Sequence, residues 1–221
     1  SINSGTIAAN SASGNGADQI FNFVNIIGSA GADTLIGTTG INVINGGAEA
    51  DLIDGLAGDD ILNGGSGNDT FMMSLNDGQD VLNGEGSKDT VDYSNITTSN
   101  GIKVTLDTES IVTVMIDKDG DGNFDDGGTR DTGDTLVDDT IVNIENVIGG
   151  AGNDTIIGDG VANILKGNDG IDVIYGGAAA DTISGDAGAD TLKGDTGEDT
   201  IYGGAGNDSI RGGEEADILY G

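Results

Sequence analysis

The chain has 221 residues, 42 of them glycine, and carries 39 acidic against 7 basic side chains for a formal net charge of −32. One domain is the default at that length, and so negative a chain lacks the basic patch that nucleic-acid binding needs. His and Cys are both absent, which removes disulfides, thiolate and imidazole metal ligands, and the common base and nucleophile pairs of catalysis.

Acids in such excess on an irregular sequence would predict disorder. Here they fall at fixed spacing on a periodic apolar frame. Residues 1–17, rich in Ser, Asn, Gly and Ala, read as a loose lead-in. A first repeat block spans 18–93, opening on the stretch from Asp18 to Gly28. Its period is nine residues. The sixth position holds Asp33, Asn42, Asp51, Asp60 and Asp69, and the eighth Leu35, Ile44, Ile53, Leu62 and Phe71. The frame slips by two residues at 73–76, which predicts a bulge or loop, and resumes with Asp80/Leu82 and Asp89/Val91.

Residues 94–138 break the period. Ile102, Val104 and Leu106 alternate with polar residues, 111–116 is strongly β-prone, and 135–137 is a further strand signal. Between them lies an acidic stretch with Asp117, Asp119, Asp121, Asn123 and Asp125. This predicts a β excursion with an acidic loop at its tip. Asp117, Asp119, Asp121 and Asp125 fall at the spacing of a D-x-D-x-D-G calcium loop, with Asn123 placed to give a carbonyl. Gly128 stands where an EF-hand has its bidentate Glu, and the flanks read as strands, so the resemblance is to the wider group of such loops. Asp126, Asp131 or Asp134 is then the candidate for the missing carboxylate.

A second block spans 139–221. Its sixth positions are Asp154, Asn163, Asp172, Asp181, Asp190, Asp199, Asp208 and Asp217, its eighth are all Ile or Leu, and its first is always Gly. A short fixed period is the mark of a solenoid. Each unit divides into a six-residue turn and a three-residue strand whose side chains alternate out, in, out, so only the eighth faces inward. Stacked units turn those Leu and Ile side chains into a ladder and a thin continuous core. Glycines in the turn permit positive φ and close backbone approach. The sixth-position carboxylates stack as well, and like charges at close range repel, so the fold needs a cation between them. The stretches 18–28 and 139–149 align, and Asn42 falls on Asn163, which points to an internal duplication.

These units resemble the RTX family, secreted bacterial proteins with the repeat GGxGxDxUx. The resemblance implies an all-β fold, a right-handed parallel β-roll in which two nonapeptides make one coil, with Ca2+ between turns held by Asp carboxylates and turn carbonyls. It also implies stacking two nonapeptides apart. The rows are then Asp33–Asp51–Asp69–Asp89 and Asn42–Asp60–Asp80, then Asp154–Asp172–Asp190–Asp208 and Asn163–Asp181–Asp199–Asp217. On that count roughly ten ions of about +2 each would offset most of the negative charge. Asn42 and Asn163 bring an oxygen without a charge and are expected to make weaker sites; Glu215 stands where glycine is usual.

Catalysis finds no support: zinc proteases bearing such repeats carry H-E-x-x-H, and this chain has no His. No apolar run reaches membrane-spanning length. The expectation is a calcium-binding structural module, secreted or on the cell surface by the type I route the resemblance implies, acting as scaffold, adhesin segment, surface-layer or fibre subunit. The alternative is the secretion and stabilisation module of a larger toxin, protease or lipase. The chain does not begin with Met, shows no signal-peptide pattern at 1–16, and ends in frame at Gly212–Gly221. A piece of a longer protein, or head-to-tail self-association through the last unit, is expected.

Overall fold

The computed structural model of the chain describes residues 6–8, 19–21, 24–107, 110–117, 124 and 139–221. Every regular element among them is a strand, and the strands form two sheets, one of twelve and one of ten. Consecutive units alternate between the sheets. Within the repeats a strand pairs in parallel with the one two units on, as Ile44 does with Leu62 and Ile183 with Ile201. This is the parallel β-solenoid expected of a two-nonapeptide coil.

The out-in-out pattern holds in most repeat strands and ends at Ile218–Tyr220, where all three residues are exposed. In the strand Thr155–Ile157 only the central residue is buried. The eighth-position side chains make two facing ladders. Ile26, Ile44, Leu62 and Leu82 continue through Ile141, Val114, Val104, Ile156, Ile174 and Leu192 in one sheet; Leu35, Ile53, Phe71, Val91, Val147, Leu165, Ile183 and Ile201 run up the other. Every one of these side chains is essentially without solvent contact. Truncating a rung removes contacts that no neighbour can slide in to replace. Ile174→Ala should therefore cost about 2–5 kcal/mol, read as a lowered urea midpoint of the metal-saturated protein.

The two-residue slip is a loop. Past it the strands Ile61–Ser66 and Val81–Gly86 pair at an offset of 20 residues instead of 18, with Leu62 opposite Leu82. Met73 turns into the core and Leu75 packs against it, so the extra residues are accommodated without breaking the ladder.

The excursion at 94–138 supplies two strands, Ile102–Thr105 and Val112–Ile116, and both enter the first sheet. Val112–Ile116 lies antiparallel to Asp139–Val142, with Val114 opposite Asp139. Ile102–Thr105 is antiparallel to it and parallel to Thr155–Ile157, with Val104 opposite Ile156. The second sheet runs past this point without insertion, Thr90–Asp92 pairing directly with Asn146–Ile148. The two blocks are thus one continuous stack. Asp117 is buried at the end of the hairpin, and its N–H donates to the Gly101 carbonyl. The other loop residues proposed from sequence, Asp119, Asp121, Asn123 and Asp125, lie outside the described residues, as do Asp126, Asp131 and Asp134.

Candidate metal centre

The turns place the sixth-position side chains in two rows along the edges of the roll. In each row a backbone N–H of one coil donates to Oδ1 of the next. Asp33 donates to Asp51 (2.7 Å), Asp51 to Asp69 and Asp69 to Asp89 (2.8 Å each). In the other row Asn42 donates to Asp60 (2.7 Å) and Asp60 to Asp80 (2.8 Å). The second block repeats the pattern along Asp154–Asp172–Asp190–Asp208 and Asn163–Asp181–Asp199–Asp217, at 2.8–3.0 Å. The four rows expected from sequence are therefore the rows of the structure, the slip included.

The rows are carried across the junction by residues the repeat pattern did not single out. The Asp80 N–H donates to Asp139 Oδ1 and the Asp89 N–H to Glu145 Oε2. On the far side the hairpin stands in for a repeat, Ile102 giving its N–H to Asp154 Oδ1 at 2.8 Å. Asp139 was visible in principle, since Asp139 and Ile141 stand two apart like a sixth and an eighth position. Glu145 carried no such signal.

The second carboxylate oxygen is the chemically informative one. Oδ2 of Asp51, Asp60, Asp69, Asp89, Asp172, Asp181, Asp190 and Asp199 is buried and accepts no hydrogen bond; Asp159 Oδ2 shares that state. Each of the eight sixth-position atoms packs directly onto the first-position glycine of its own turn. A Cβ on Gly46 would lie 2.4 Å from Asp51 Oδ2 and 2.5 Å from the carbonyl oxygen of Gly64 in the next coil. The same pair converges on Gly176, with Asp181 Oδ2 at 2.5 Å and Gly194 O at 2.7 Å. First-position glycine is therefore a matter of space. The left-handed φ falls one residue later, where Leu56, Glu85, Asn168, Asp186 and Asp195 adopt it as well as glycines.

A carboxylate oxygen and a carbonyl oxygen thus face one spot with no donor between them. Uncompensated, such burial is expensive, and it pushes the carboxyl groups up from their usual range. Asp51 and Asp60 rise to about 6, Asp89, Asp172 and Asp181 to about 7, and Asp80 to about 8, chiefly through desolvation and then through neighbouring carboxylates. An all-oxygen set of anionic and carbonyl donors is what a hard divalent cation such as Ca2+ takes. The residues present fit that ion.

One further acidic group sits at the junction. Asp77, from the slip loop, brings a carboxylate oxygen within 4.8 Å of one from Asp80 and one from Asp139, all three residues being buried. Tyr93, itself fully buried, donates its hydroxyl to Asp139 Oδ2 at 2.9 Å, and the Ser74 N–H donates to Asp77 Oδ2. Tyr93→Phe removes a donor from a buried carboxylate and should cost about 1–3 kcal/mol, read as a lower thermal midpoint with the metal count unchanged.

A sequence-family profile described as the RTX calcium-binding nonapeptide repeat, four copies, matches the chain over residues 25–38, 36–71, 74–95, 143–160, 157–192 and 193–221. Together the matches span about two thirds of the chain. No curated protein matches it.

Proposed function

The chain belongs to the family of RTX calcium-binding nonapeptide-repeat proteins and is a calcium-binding β-roll module, and from that premise we propose that it is a secreted structural unit that folds when it meets extracellular calcium. The ions sit on Asp51, Asp60, Asp69, Asp80, Asp89, Asp172, Asp181, Asp190, Asp199, Asp208 and Asp217, with a separate site in the loop from Asp117 to Asp125. The observation that carries this reading is the set of eight buried sixth-position Oδ2 atoms without a hydrogen-bond donor. Together with a net charge of −32, they make metal binding and folding one reaction.

Nothing in this reading needs chemistry beyond binding. The product of folding is a stiff rod whose two sheets are exposed on their outer faces, suited to a scaffold, adhesin segment or fibre subunit. The test is a calcium titration of the metal-free chain followed by circular dichroism and light scattering together. β structure should appear with a midpoint on the order of 10⁻⁴–10⁻³ M, the range of extracellular calcium modules. A chain already folded without metal sinks the reading. Scattering that rises with the β signal supports end-to-end assembly, and a strictly monomeric folded species removes that part.

A further inference from the structure

The turns fall into two kinds, and the division follows the backbone. Among the described residues, eleven repeat turns have a left-handed second residue: Gly47, Leu56, Gly65, Asn76, Glu85, Asn168, Gly177, Asp186, Asp195, Gly204 and Gly213. All eight buried, donorless sixth-position Oδ2 atoms belong to turns of this kind. Four turns differ, those that open on Gly28, Gly37, Gly149 and Gly158. Their second residues, Ser29, Thr38, Gly150 and Asp159, have ordinary φ. In each, the second-residue N–H points at the sixth side chain. Ser29 donates to Asp33 Oδ2 (2.6 Å), Thr38 to Asn42 Oδ1 (2.7 Å), Gly150 to Asp154 Oδ2 (2.9 Å) and Asp159 to Asn163 Oδ1 (3.0 Å).

The two asparagines carry the substitution further. Asn42 Nδ2 donates to the carbonyl of Val24 at 2.8 Å, and Asn163 Nδ2 donates to the carbonyl of Glu145 at 2.7 Å. Both carbonyls belong to the preceding coil, 18 residues back. The amide N–H2 thus stands where the Asp turns present Oδ1 to an N–H of the preceding coil, and ties the turn to a carbonyl of that coil instead. Lys88 adds a fixed cation beside the second of these turns, its Nζ donating to Ala162 O at 2.7 Å. Asp154 is satisfied on both oxygens, since Oδ1 accepts from Ile102.

We propose that Asp33, Asn42, Asp154 and Asn163 hold no metal, the first two turns of each block being closed by the chain's own N–H groups, so that calcium loading begins at the third. This rests on the reading that the remaining turns take calcium. An uncharged Asn is then no loss at the second turn, and both blocks carry it at that place. The protein gains two rungs at the head of each block that need no ion, on which the first metal-loaded coil can stack.

The test is calcium stoichiometry on the full chain by equilibrium dialysis with the isotope, each variant checked for β structure first. Asp33→Asn should leave the number of bound ions unchanged, and Asp181→Asn should lower it by at least one. Asn163→Asp keeps the Asp159 N–H on its side chain, as Asp33 and Asp154 keep theirs, and should bind no more ions than the parent. Loss of an ion in Asp33→Asn, or a gain in a folded Asn163→Asp, overturns the proposal. If a variant does not fold, an anomalous-difference map of the calcium-loaded parent decides. It should show no ion within about 2.6 Å, the calcium–oxygen bonding range, of the side-chain oxygens of the four residues, and an ion there overturns the proposal. A parent that binds no calcium anywhere defeats the underlying reading instead.

Discussion

Stripping calcium from the loaded chain near neutral pH should abolish its β signal, and acidifying the stripped chain toward pH 4 should bring part of that signal back. The first half follows from eight buried carboxylate oxygens that have no donor. The second follows from the sign of their titration. Burial raises Asp51 and Asp60 to about 6, Asp89, Asp172 and Asp181 to about 7 and Asp80 to about 8, against an ordinary value of 3.8. A group whose folded value is raised favours the fold while it is protonated in both states, and that help is lost as pH climbs through the folded value. For the metal-free roll the help is complete below about pH 4 and gone above about pH 8. Bound calcium reverses the preference, because a cation favours the ionised carboxylate; acid should then weaken the loaded protein. Far-UV circular dichroism from pH 4 to 9, with and without chelator, reads both limbs. A stripped chain equally folded at pH 8, or indifferent to acid, contradicts the electrostatic account.

The second large effect is steric. An alanine at Gly188 places its Cβ 1.6 Å from the carbonyl oxygen of Gly170 and 2.7 Å from Asp190 Oδ1. The coils cannot part to admit it, because Gly170 and Gly188 each donate their N–H to the next coil at 2.9 Å and the strands on both sides are paired. Overpacking usually costs 1–3 kcal/mol; against backbone held on both faces, Gly188→Ala should cost about 3 kcal/mol or more. Gly160 supplies the comparison, since nothing lies within 4 Å of a Cβ built there. Gly160→Ala should stay within about 0.5 kcal/mol of the parent. Urea unfolding at saturating calcium measures both, and equal midpoints for the two variants would remove the close-stacking argument.

Much of this was readable beforehand, because a nine-residue period makes register a local property. Once Asp33 and Leu35 are placed, Asp51 and Ile53 follow, and the structure stacks them as their spacing requires. The slip at 73–76 was legible as an interruption, though not the burial of Met73. What escaped was whatever the period does not encode. Nothing local in 102–116 says that those strands will slot between Asp139–Val142 and Thr155–Ile157, since that pairing depends on partners far along the chain. Tyr93, Asp139 and Glu145 meet the rows through it. The conformational split among the turns escaped for another reason. Asn42 and Asn163 stood out as departures, but their role depends on φ at Thr38 and Asp159, and left-handed second positions are filled by Leu56 and Glu85 as well as by glycines, so residue type does not reveal it.

The offset at the junction also sets an order of events. An ordinary rung closes a loop of 18 residues, whereas joining the blocks closes loops of 56 and 59. A threefold longer loop costs about 1 kcal/mol more in chain entropy before any contact forms, and local contacts form fastest. Each block therefore zips by itself, rung upon rung, and the docking of the two is the late step. Tyr93, Asp139 and Glu145 form the latch that closes last. Hydrogen exchange should accordingly find two separately opening halves within a rod that looks seamless.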